Sequence, residues 1–271
     1  MDNIIDVKGL KRSFKTPKNG EFEAIKGIEF SVKEGEIFGL LGPNGAGKTT
    51  TIKILTTMLA PSEGSVKVLG FDTFHEAKKV REHINFVFGG ERSLYWRLSA
   101  RDNLAYFADL YKIPRKGQNE LIENLIKRVG LSEFIDKKVE TFSKGMKQRL
   151  QIARSLLNNP KIIFLDEPSI GLDPIGAKEL RELIKELAKD GVTILLTTHY
   201  MPEAEELCNR IAIIKKGELL ALDDVVGLQN LVSHERKEEI KAKKIREQEE
   251  RNKQNLEITL EDIYIELLGE K

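Results

Sequence analysis

One segment constrains this 271-residue chain more than any other, because its glycines and lysine have the spacing G-x-x-x-x-G-K-[ST]. The segment and the residue after it are Gly42, Pro43, Asn44, Gly45, Ala46, Gly47, Lys48, Thr49 and Thr50. An apolar run at residues 36–41 predicts a buried parallel strand before it, and residues 49–59 have the spacing of a helix. Strand, glycine-rich loop and helix form the context that a phosphate-binding loop requires. The sequence therefore predicts an α/β fold with a P-loop NTPase core.

The residue types in this loop suit a polyphosphate and a magnesium ion. Glycines at positions 42, 45 and 47 let the backbone wrap a ligand without Cβ clashes and aim its N–H groups at phosphate oxygens. A helix N-terminus adds the positive end of its dipole. Lys48 is expected to reach the β- and γ-phosphates, and Thr49 to bind Mg²⁺. The alternative, a glycine turn followed by a surface lysine, leaves the flanking strand and helix unexplained.

Composition excludes several classes of function. The 44 basic and 43 acidic side chains give a net charge of +1, so no global basic field is available for non-specific binding of nucleic acid. A single cysteine, Cys208, excludes an intramolecular disulfide and is expected to be a small buried residue. The apolar runs are far shorter than the ~20 residues that span a bilayer, and the first residues lack the pattern of a signal peptide. We expect a soluble chain whose membrane association comes through a partner.

The strand and helix patterns predict how the chain is organised. Residues 4–31 alternate as antiparallel strands and form an N-terminal β subdomain. Short apolar runs predict buried strands at residues 66–70, 84–88, 161–166 and 192–198. Apolar residues three and four apart predict helices at residues 100–111, 120–129, 147–157 and 177–189. Because strands alternate with helices, the main sheet is expected to be mostly parallel with helices on its faces.

These patterns indicate two domains of unequal size. Residues 1–232 are interpreted as the nucleotide-binding domain, with an inserted helical subdomain at about residues 90–158. Residues 233–271 form a charged C-terminal extension, interpreted as a solvated helix or arm rather than a binding site. A capping box at residues 259–262 predicts a last short helix within it.

Two carboxylates lie at the end of the predicted strand at residues 161–166. Ligands of an α/β sheet bind at the carboxyl ends of its strands, so Asp166 is placed to hold Mg²⁺ directly or through water. The next residue, Glu167, can orient and partly deprotonate an attacking water as a general base. Two solvated carboxylates are the alternative, which the buried strand and the phosphate loop disfavour.

A second motif narrows the choice among families of phosphate-loop proteins. Phe142 and the residues Ser143, Lys144, Gly145 and Met146 open a helix just before the acidic strand. They resemble the Leu-Ser-Gly-Gly-Gln signature of ATP-binding cassette (ABC) transporter subunits, and the resemblance covers nearly all of residues 4–225. Ser143 and Gly145 match the signature, whereas Lys144 and Met146 depart from it. Such departures resemble a subgroup of drug, antibiotic and small-ion exporters (the ABC-2 type) whose membrane subunits are separate chains.

Three further positions are similar to this family. Residues 169–173 resemble the loop that crosses the dimer interface, with Asp173 as its acid. The resemblance implies that His199 contacts the γ-phosphate and helps position the water. It also implies that Phe14 stacks on adenine, although Phe22 lies nearby and either ring could belong to the core.

One region departs from the family pattern. The family has a glutamine after the strand at residues 84–88, whereas this chain continues with Gly89, Gly90 and Glu91. Glu91 could replace it as an oxygen donor to the metal, and water is the alternative. The following residues 94–98 carry large side chains. If these are exposed, they would suit docking of a membrane partner; if they are buried, they belong to the core of the helical subdomain.

The resemblance implies a mechanism and a set of partners. Two copies, or this chain and a paralogous cassette, bind two ATP molecules head to tail, and the signature of one protomer faces the phosphate loop of the other. Separate transmembrane permease subunits turn this closure into export at the cytoplasmic face of the membrane, and no nucleic acid is expected as a partner. The rivals are an ABC-type ATPase acting on ribosomes or DNA, a binding module that uses the charged tail, and a phosphate-loop kinase. One cassette, no heptad repeat and no basic field count against the first.

Overall fold

The computed structural model describes residues 3–15, 20–89 and 94–231. Within these ranges, the strands are β1 (Asn3–Lys15), β2 (Glu21–Lys33), β3 (Ile37–Leu41), β4 (Glu63–Val68), β5 (Phe71–Asp72), β6 (Ile84–Phe88), β7 (Ile162–Asp166), β8 (Thr193–Thr198), β9 (Arg210–Lys215) and β10 (Glu218–Asp223). The α-helices are α1 (Lys48–Leu55), α2 (Ala77–Arg81), α3 (Ala100–Leu110), α4 (Gln118–Arg128), α5 (Lys144–Ser155), α6 (Pro174–Lys189), α7 (Met201–Leu207) and α8 (Val225–Asn230).

The described strands form two sheets. The larger has the order β10-β9-β3-β8-β7-β6, and all of its pairs are parallel except β10 with β9. The smaller has the order β2-β1-β4-β5 and is antiparallel throughout. The predicted mostly parallel core sheet and N-terminal antiparallel β subdomain are confirmed. Parallel strands place the carboxyl ends of β3, β7 and β8 at one edge, where an α/β sheet binds its ligand.

Two hydrophobic cores lie on opposite faces of the parallel sheet. Ile163 and Leu165 of β7 point into a core shared with α3 to α6, whereas Ile162 and Phe164 point into a core shared with α1 and the antiparallel sheet. Adjacent side chains of a strand point to opposite faces, so a strand between two cores is apolar at every position. This explains the continuous apolar run before Asp166, whose position the two cores hold in place.

Several predicted boundaries were wrong. The helix after the phosphate loop was expected to reach residue 59, but α1 ends at Leu55 because the chain turns at Thr57, whose φ is 65°. The apolar pattern placed the start of helix α5 at residue 147, but the helix begins at Lys144 with Ser143 as its cap, as the interpretation of residues 142–146 as a helix start predicted. Helix α6 likewise begins at Pro174, after the cap Asp173, rather than at 177.

Other expectations fall partly or wholly outside the described residues. The predicted helices of the inserted subdomain are present as α3, α4 and α5. Gly90, Glu91 and residues 232–271 lie outside the described ranges, so the Glu91 interpretation and the charged extension stay predictions. In the part of the chain that the structure describes, no helix is long and apolar enough to cross a bilayer.

Cys208 is buried, as expected, and packs against strand β3. A Cβ at Gly39 would lie 2.6 Å from the Cys208 sulfur, so only glycine fits opposite this thiol. Burial raises the pKa of the Cys208 thiol to about 12, and the nearby charge of Glu203 adds to the shift.

Candidate functional site

The phosphate loop connects β3 to α1, and its shape depends on glycine. Gly45 and Gly47 have φ values of 78° and 105°, in the left-handed region that glycine adopts without strain. A Cβ at Gly47 would lie 2.7 Å from the carbonyl oxygen of Ala24. A Cβ at Gly42 would collide with the carbonyl oxygen of Ile214. The loop is therefore wedged between strand β2 and strand β9.

The rim of this loop is open to solvent and rich in unpaired donors. Pro43, Asn44 and Gly45 are exposed, whereas Ala46 is buried beneath them. Within the described ranges, the backbone N–H groups of Asn44, Gly45 and Gly47 donate to no acceptor. Clustered free N–H groups at a helix N-terminus form an anion site, which is the geometry expected for a phosphate cradle.

Lys48 is buried beneath this loop, with 4% of its surface exposed. Its Nζ donates to the carbonyl oxygens of Gly42 at 2.6 Å and Pro43 at 3.2 Å. The same atom lies 3.3 Å from Oε1 of Glu167. A buried ammonium needs such partners, because an unpaired charge away from water is costly. The loop and the carboxyl end of β7 are thus joined by one cation.

Thr49 and Asp166 meet where a metal ion is expected. The Thr49 hydroxyl donates to Asp166 Oδ2 at 2.9 Å, and the Thr197 hydroxyl donates to Oδ1. Within the described residues there is no cluster of three or more His, Cys, Asp and Glu side chains that could hold a metal. One carboxylate and one hydroxyl still fit Mg²⁺, because this ion keeps several waters and takes substrate phosphates as ligands. Thr50 lies in the first turn of α1.

Glu167 occupies the centre of the site. Its Oε2 lies 3.0 Å from Nδ1 of His199, while its Oε1 faces Lys48. Its backbone φ of 49° is uncommon for a residue other than glycine, asparagine or aspartate. The backbone N–H of Glu167 donates to Thr197, to its carbonyl oxygen at 3.0 Å and to its hydroxyl at 3.1 Å. These bonds hold the strained backbone in its conformation, and the carboxylate then faces the space above the phosphate loop.

Thr197 is a site residue that sequence reasoning missed. It is the next-to-last residue of β8 and pairs with Asp166 across the sheet. Its hydroxyl contacts both acidic residues, as donor to Asp166 and as acceptor from the Glu167 N–H. The available signal was a hydroxyl residue at the carboxyl end of a buried strand neighbouring β7.

The signature residues lie elsewhere on the molecule. Ser143 caps α5 by accepting from the Met146 N–H at 3.1 Å, and both Ser143 and Lys144 are exposed. A Cβ at Gly171 would collide with the Lys144 ammonium and lie 3.4 Å from its Cε, so the Lys144 side chain lies against Gly171. In the described part of the chain, no hydrogen bond or ion pair joins Ser143, Lys144, Gly145 or Met146 to the phosphate loop. The phosphate loop and the signature of one chain therefore do not form one site.

Asp173 has a local role in this loop. Its carboxylate accepts from the Gly176 N–H at 2.8 Å and caps α6, which Pro174 begins. Acceptors at an N-cap satisfy one of the N–H groups that a helix leaves unpaired. The part of Asp173 in a dimer interface stays a prediction.

Phe14 lies near the end of β1, whose partner strand β2 approaches the phosphate loop at Ala24. Its cross-strand partner is Phe22, and both rings are exposed. A Cβ at Gly47 would lie 3.6 Å from Cγ1 of Ile25. Phe22 belongs to the same strand and precedes Ile25 by three residues. Both aromatic rings are exposed on these two paired strands, so either is available to a base.

Residues 94–98 are mostly exposed. Tyr95, Trp96 and Tyr106 of helix α3 form what we call the aromatic surface, with exposed fractions of 47%, 46% and 42%. The Tyr95 and Tyr106 rings meet edge to face at 4.8 Å. The Lys147 ammonium lies 4.6 Å above the Trp96 ring. Lys147 belongs to the helix that Ser143 caps, so the aromatic surface contacts the signature helix.

A cavity of about 950 Å³ opens beside the catalytic candidates and runs along α6 and α7. Glu167, His199 and Glu203 are among its lining residues. Glu203 is 1% exposed, and its two carboxylate oxygens have no hydrogen-bond partner among the described residues. The cavity reaches from Glu167 and His199 to the start of α6 at Pro174.

Comparison with known proteins agrees with this geometry. Residues 25–170 match the family model described as ABC transporter. The chain is 38% identical to the ABC transporter ATP-binding protein NatA of Bacillus subtilis, over 88% of this chain and 95% of that protein. It is 37% identical to the linearmycin resistance ATP-binding protein LnrL of the same species, over 81% of this chain and 68% of that protein. It is 41% identical to a fluoroquinolones export ATP-binding protein of Mycobacterium tuberculosis, over 83% of this chain and 72% of that protein.

Solved structures show the same fold. The cassette MJ0796, in a dimeric post-hydrolysis state bound to ADP and Pi, superposes with a TM-score of 0.73 and is 28% identical, covering 82% of this chain and 98% of that chain. CbiO1 of Clostridium perfringens, part of the transporter complex cbiONQ, gives a TM-score of 0.76 at 30% identity, covering 85% of this chain and 92% of that chain. The phosphate loop, the acidic pair after β7 and these matches together show that the chain belongs to the ABC transporter family, as an ATP-binding and ATP-hydrolysing subunit.

Proposed function

We propose that Lys48, Thr49 and Asp166 bind the phosphates and magnesium of ATP, and that Glu167 is the base for hydrolysis. The observation that carries this proposal is the position of the Glu167 carboxylate between the Lys48 ammonium and the His199 ring, 3.3 and 3.0 Å away. Lys48 turns from Glu167 to the β- and γ-phosphates when the nucleotide binds. Glu167 is then released to accept a proton from the attacking water, while His199 holds the carboxylate in place.

Magnesium fits the pair formed by Thr49 and Asp166. Bound there, it would supply positive charge to neutralise the charge that develops during hydrolysis. Thr197 holds Asp166 in position through its hydroxyl, and the Thr49 hydroxyl, which donates to Asp166, would hold the metal together with that carboxylate. Glu91, which lies outside the described residues, remains a proposed further oxygen donor. We assign the adenine base to Phe14, because this residue is exposed and its partner strand β2 approaches the phosphate loop at Ala24.

The active unit that we propose is a dimer. Among the described residues, no hydrogen bond or ion pair joins Ser143, Lys144, Gly145 or Met146 to the phosphate loop of their own chain, which supports their acting on the nucleotide held by a second cassette. ABC cassettes form dimers, and MJ0796 is dimeric in its post-hydrolysis state. ATP bound between two cassettes favours the closed form, because it contacts both halves only in that form. Asp173 and residues 169–173 would lie at the same interface.

Residues 1–232 form the proposed cassette, and its aromatic surface is the proposed docking site for a separate permease. Large exposed aromatic side chains are enriched at protein interfaces. The cassette would then act at the cytoplasmic face of a membrane, and the permease would select the cargo. Export as the direction of transport is supported by the relatives, since one is a fluoroquinolones export protein.

Affinity purification of the Glu167→Gln chain with ATP from detergent-solubilised cells tests this function. Slow hydrolysis should hold the cassette in its closed form, so a polytopic membrane protein is expected to co-purify in stoichiometric amount. Lys48→Ala, which should bind ATP poorly, is the matched control and is expected to recover less partner. Recovery of ribosomal proteins or DNA instead would overturn the transport assignment and leave the ATPase chemistry in place.

A further inference from the structure

The residue two positions before Phe14 has no role in the site described above. The Arg12 guanidinium carbon lies 4.6 Å from the centroid of the Phe14 ring. We propose that Arg12 is a positioning residue for the nucleotide base: it covers one face of the Phe14 ring and leaves the opposite face to adenine. This inference rests on the proposed assignment of Phe14 as the adenine-stacking residue.

Arg12 is fixed from the side away from the ring. Its NH1 group donates to the carbonyl oxygen of Ala60 at 3.1 Å, and the residue is half-buried. Two more bonds tie this part of β1 to the same loop: Ser62 N–H donates to the Lys11 carbonyl at 2.8 Å, and Ser13 N–H donates to the Ser62 hydroxyl at 3.1 Å. The loop follows α1, the helix that the phosphate loop begins. Arg12 therefore links the phosphate-binding helix to the aromatic ring.

The charge of Arg12 is directed to the ring rather than to a carboxylate. Across residues 3–15, 20–89 and 94–231, no acidic side chain forms an ion pair with Arg12, and its buried Nε has no hydrogen-bond partner. Its neighbour Lys11, by contrast, pairs with Glu63 at 2.7 Å. A guanidinium over an aromatic face is attracted by the negative charge of that face. The planar guanidinium also limits how far the ring can rotate.

Pre-organisation explains how this contact would act on ATP. An exposed phenylalanine that rotates freely must be ordered when a base stacks on it, which weakens binding. Phe14 is exposed and, among the residues that the structure describes, its cross-strand partner is the equally exposed Phe22, so Arg12 supplies the contact that orders the ring. Loss of the guanidinium should therefore weaken binding of the base and leave binding of the phosphates unchanged.

Calorimetric titration of the full chain with ATP and with inorganic tripolyphosphate tests this inference. Arg12→Met keeps an apolar stem of similar length and removes the charge and the planar group. We expect it to weaken ATP binding about 3- to 10-fold, the cost of ordering one side chain, and to leave tripolyphosphate binding unchanged. Arg12→Lys retains the cation without the planar stack and should lose less affinity than Arg12→Met. It also serves if Arg12→Met fails to fold.

A double substitution separates positioning from a direct contact. Once Phe14→Ala has removed the ring, Arg12→Met should cause no further loss of ATP affinity, because two residues that act together are not additive. An unchanged ATP affinity in Arg12→Met, an equal loss for tripolyphosphate, or additive losses would each overturn the inference. If Phe14→Ala has no effect while Phe22→Ala weakens ATP binding, the assignment of the base to Phe14 is wrong instead.

Discussion

The phosphate loop and the signature are both expected to bind one ATP molecule, yet they are built differently. Lys48 and Asp166 are buried, and hydrogen bonds join the loop to β7 and β8. Ser143 and Lys144 are exposed at the start of α5, whose first turn carries no acidic residue. A basic residue at a helix N-terminus is unfavourable without an anion. One half of the site is therefore completed within the chain, and the exposed other half is consistent with the proposal that a second molecule brings its ligand.

The glycines of the two motifs show the same difference. Gly47 of the phosphate loop has a positive φ and cannot accept a Cβ beside Ala24. A Cβ at Gly145 would meet its nearest neighbours, Gly176 Cα and Ser143 Oγ, at ordinary distances of 3.7 and 3.9 Å. Glycine at 47 is thus required by the fold of this chain, whereas glycine at 145 is not.

The largest expected effect concerns the base. Glu167→Gln keeps the shape of the side chain and removes its ability to accept a proton, so steady-state hydrolysis should fall about 10²- to 10⁴-fold. ATP affinity, measured by titration, should change little. Glu205→Gln alters an exposed glutamate of α7 and is the control, expected to keep full activity. Normal turnover by Glu167→Gln would show that the base is another group.

The next largest effect is expected for Lys48→Ala, which should weaken the binding of ATP. Removal of an ammonium that bonds to phosphate oxygens should weaken ATP affinity about 10- to 150-fold, the value of a hydrogen bond to a charged group. The same change leaves the Glu167 carboxylate without its lysine. Lys53→Ala removes an exposed lysine from the same helix and should leave the affinity unchanged. Equal affinities for both variants would contradict the assignment.

Alanine at the two glycines gives a direct comparison of the two halves. Gly47→Ala should lower the free energy of unfolding by about 1–3 kcal/mol, because the new methyl group meets the Ala24 carbonyl. Gly145→Ala should change stability by less than about 1 kcal/mol, since alanine favours the helix. In the Glu167→Gln background it should nevertheless reduce the ATP-dependent dimer seen by size-exclusion chromatography. Urea unfolding that ranks the two variants in the reverse order would break the comparison.

The smallest effect on the monomer is expected at the signature cap. Aspartate caps a helix as well as serine, so Ser143→Asp should leave the unfolding free energy within about 0.5 kcal/mol of the original. Its negative charge would face the phosphates held by the second cassette. The ATP-dependent dimer should therefore be lost while ATP still binds the monomer. A dimer that forms normally would place Ser143 away from the nucleotide.

The parts of this site that could be predicted are those specified by neighbouring residues. The phosphate loop and Asp166 follow apolar strands, and their position at the sheet edge results from the parallel order. Thr197 and Arg12 could not be predicted in this way. The Thr197 hydroxyl acts through β7, and Arg12 bonds to Ala60 far along the chain, so their roles appear only when distant segments pack together. The end of α1 was predicted wrongly because the residue with left-handed backbone there is Thr57, whereas the sequence pattern for a helix end is a glycine.

The packing of Cys208 against Gly39 has a practical consequence for spectroscopy. Thiol reagents attack the thiolate, and a buried thiol with a pKa of about 12 forms almost none at neutral pH. The natural chain is therefore expected to react very little with maleimide and nitroxide labels. A substitution such as Glu205→Cys would introduce one reactive thiol on an exposed turn of α7. Distances between two labelled copies, with and without ATP, would then report the approach of the two cassettes without removal of the native cysteine.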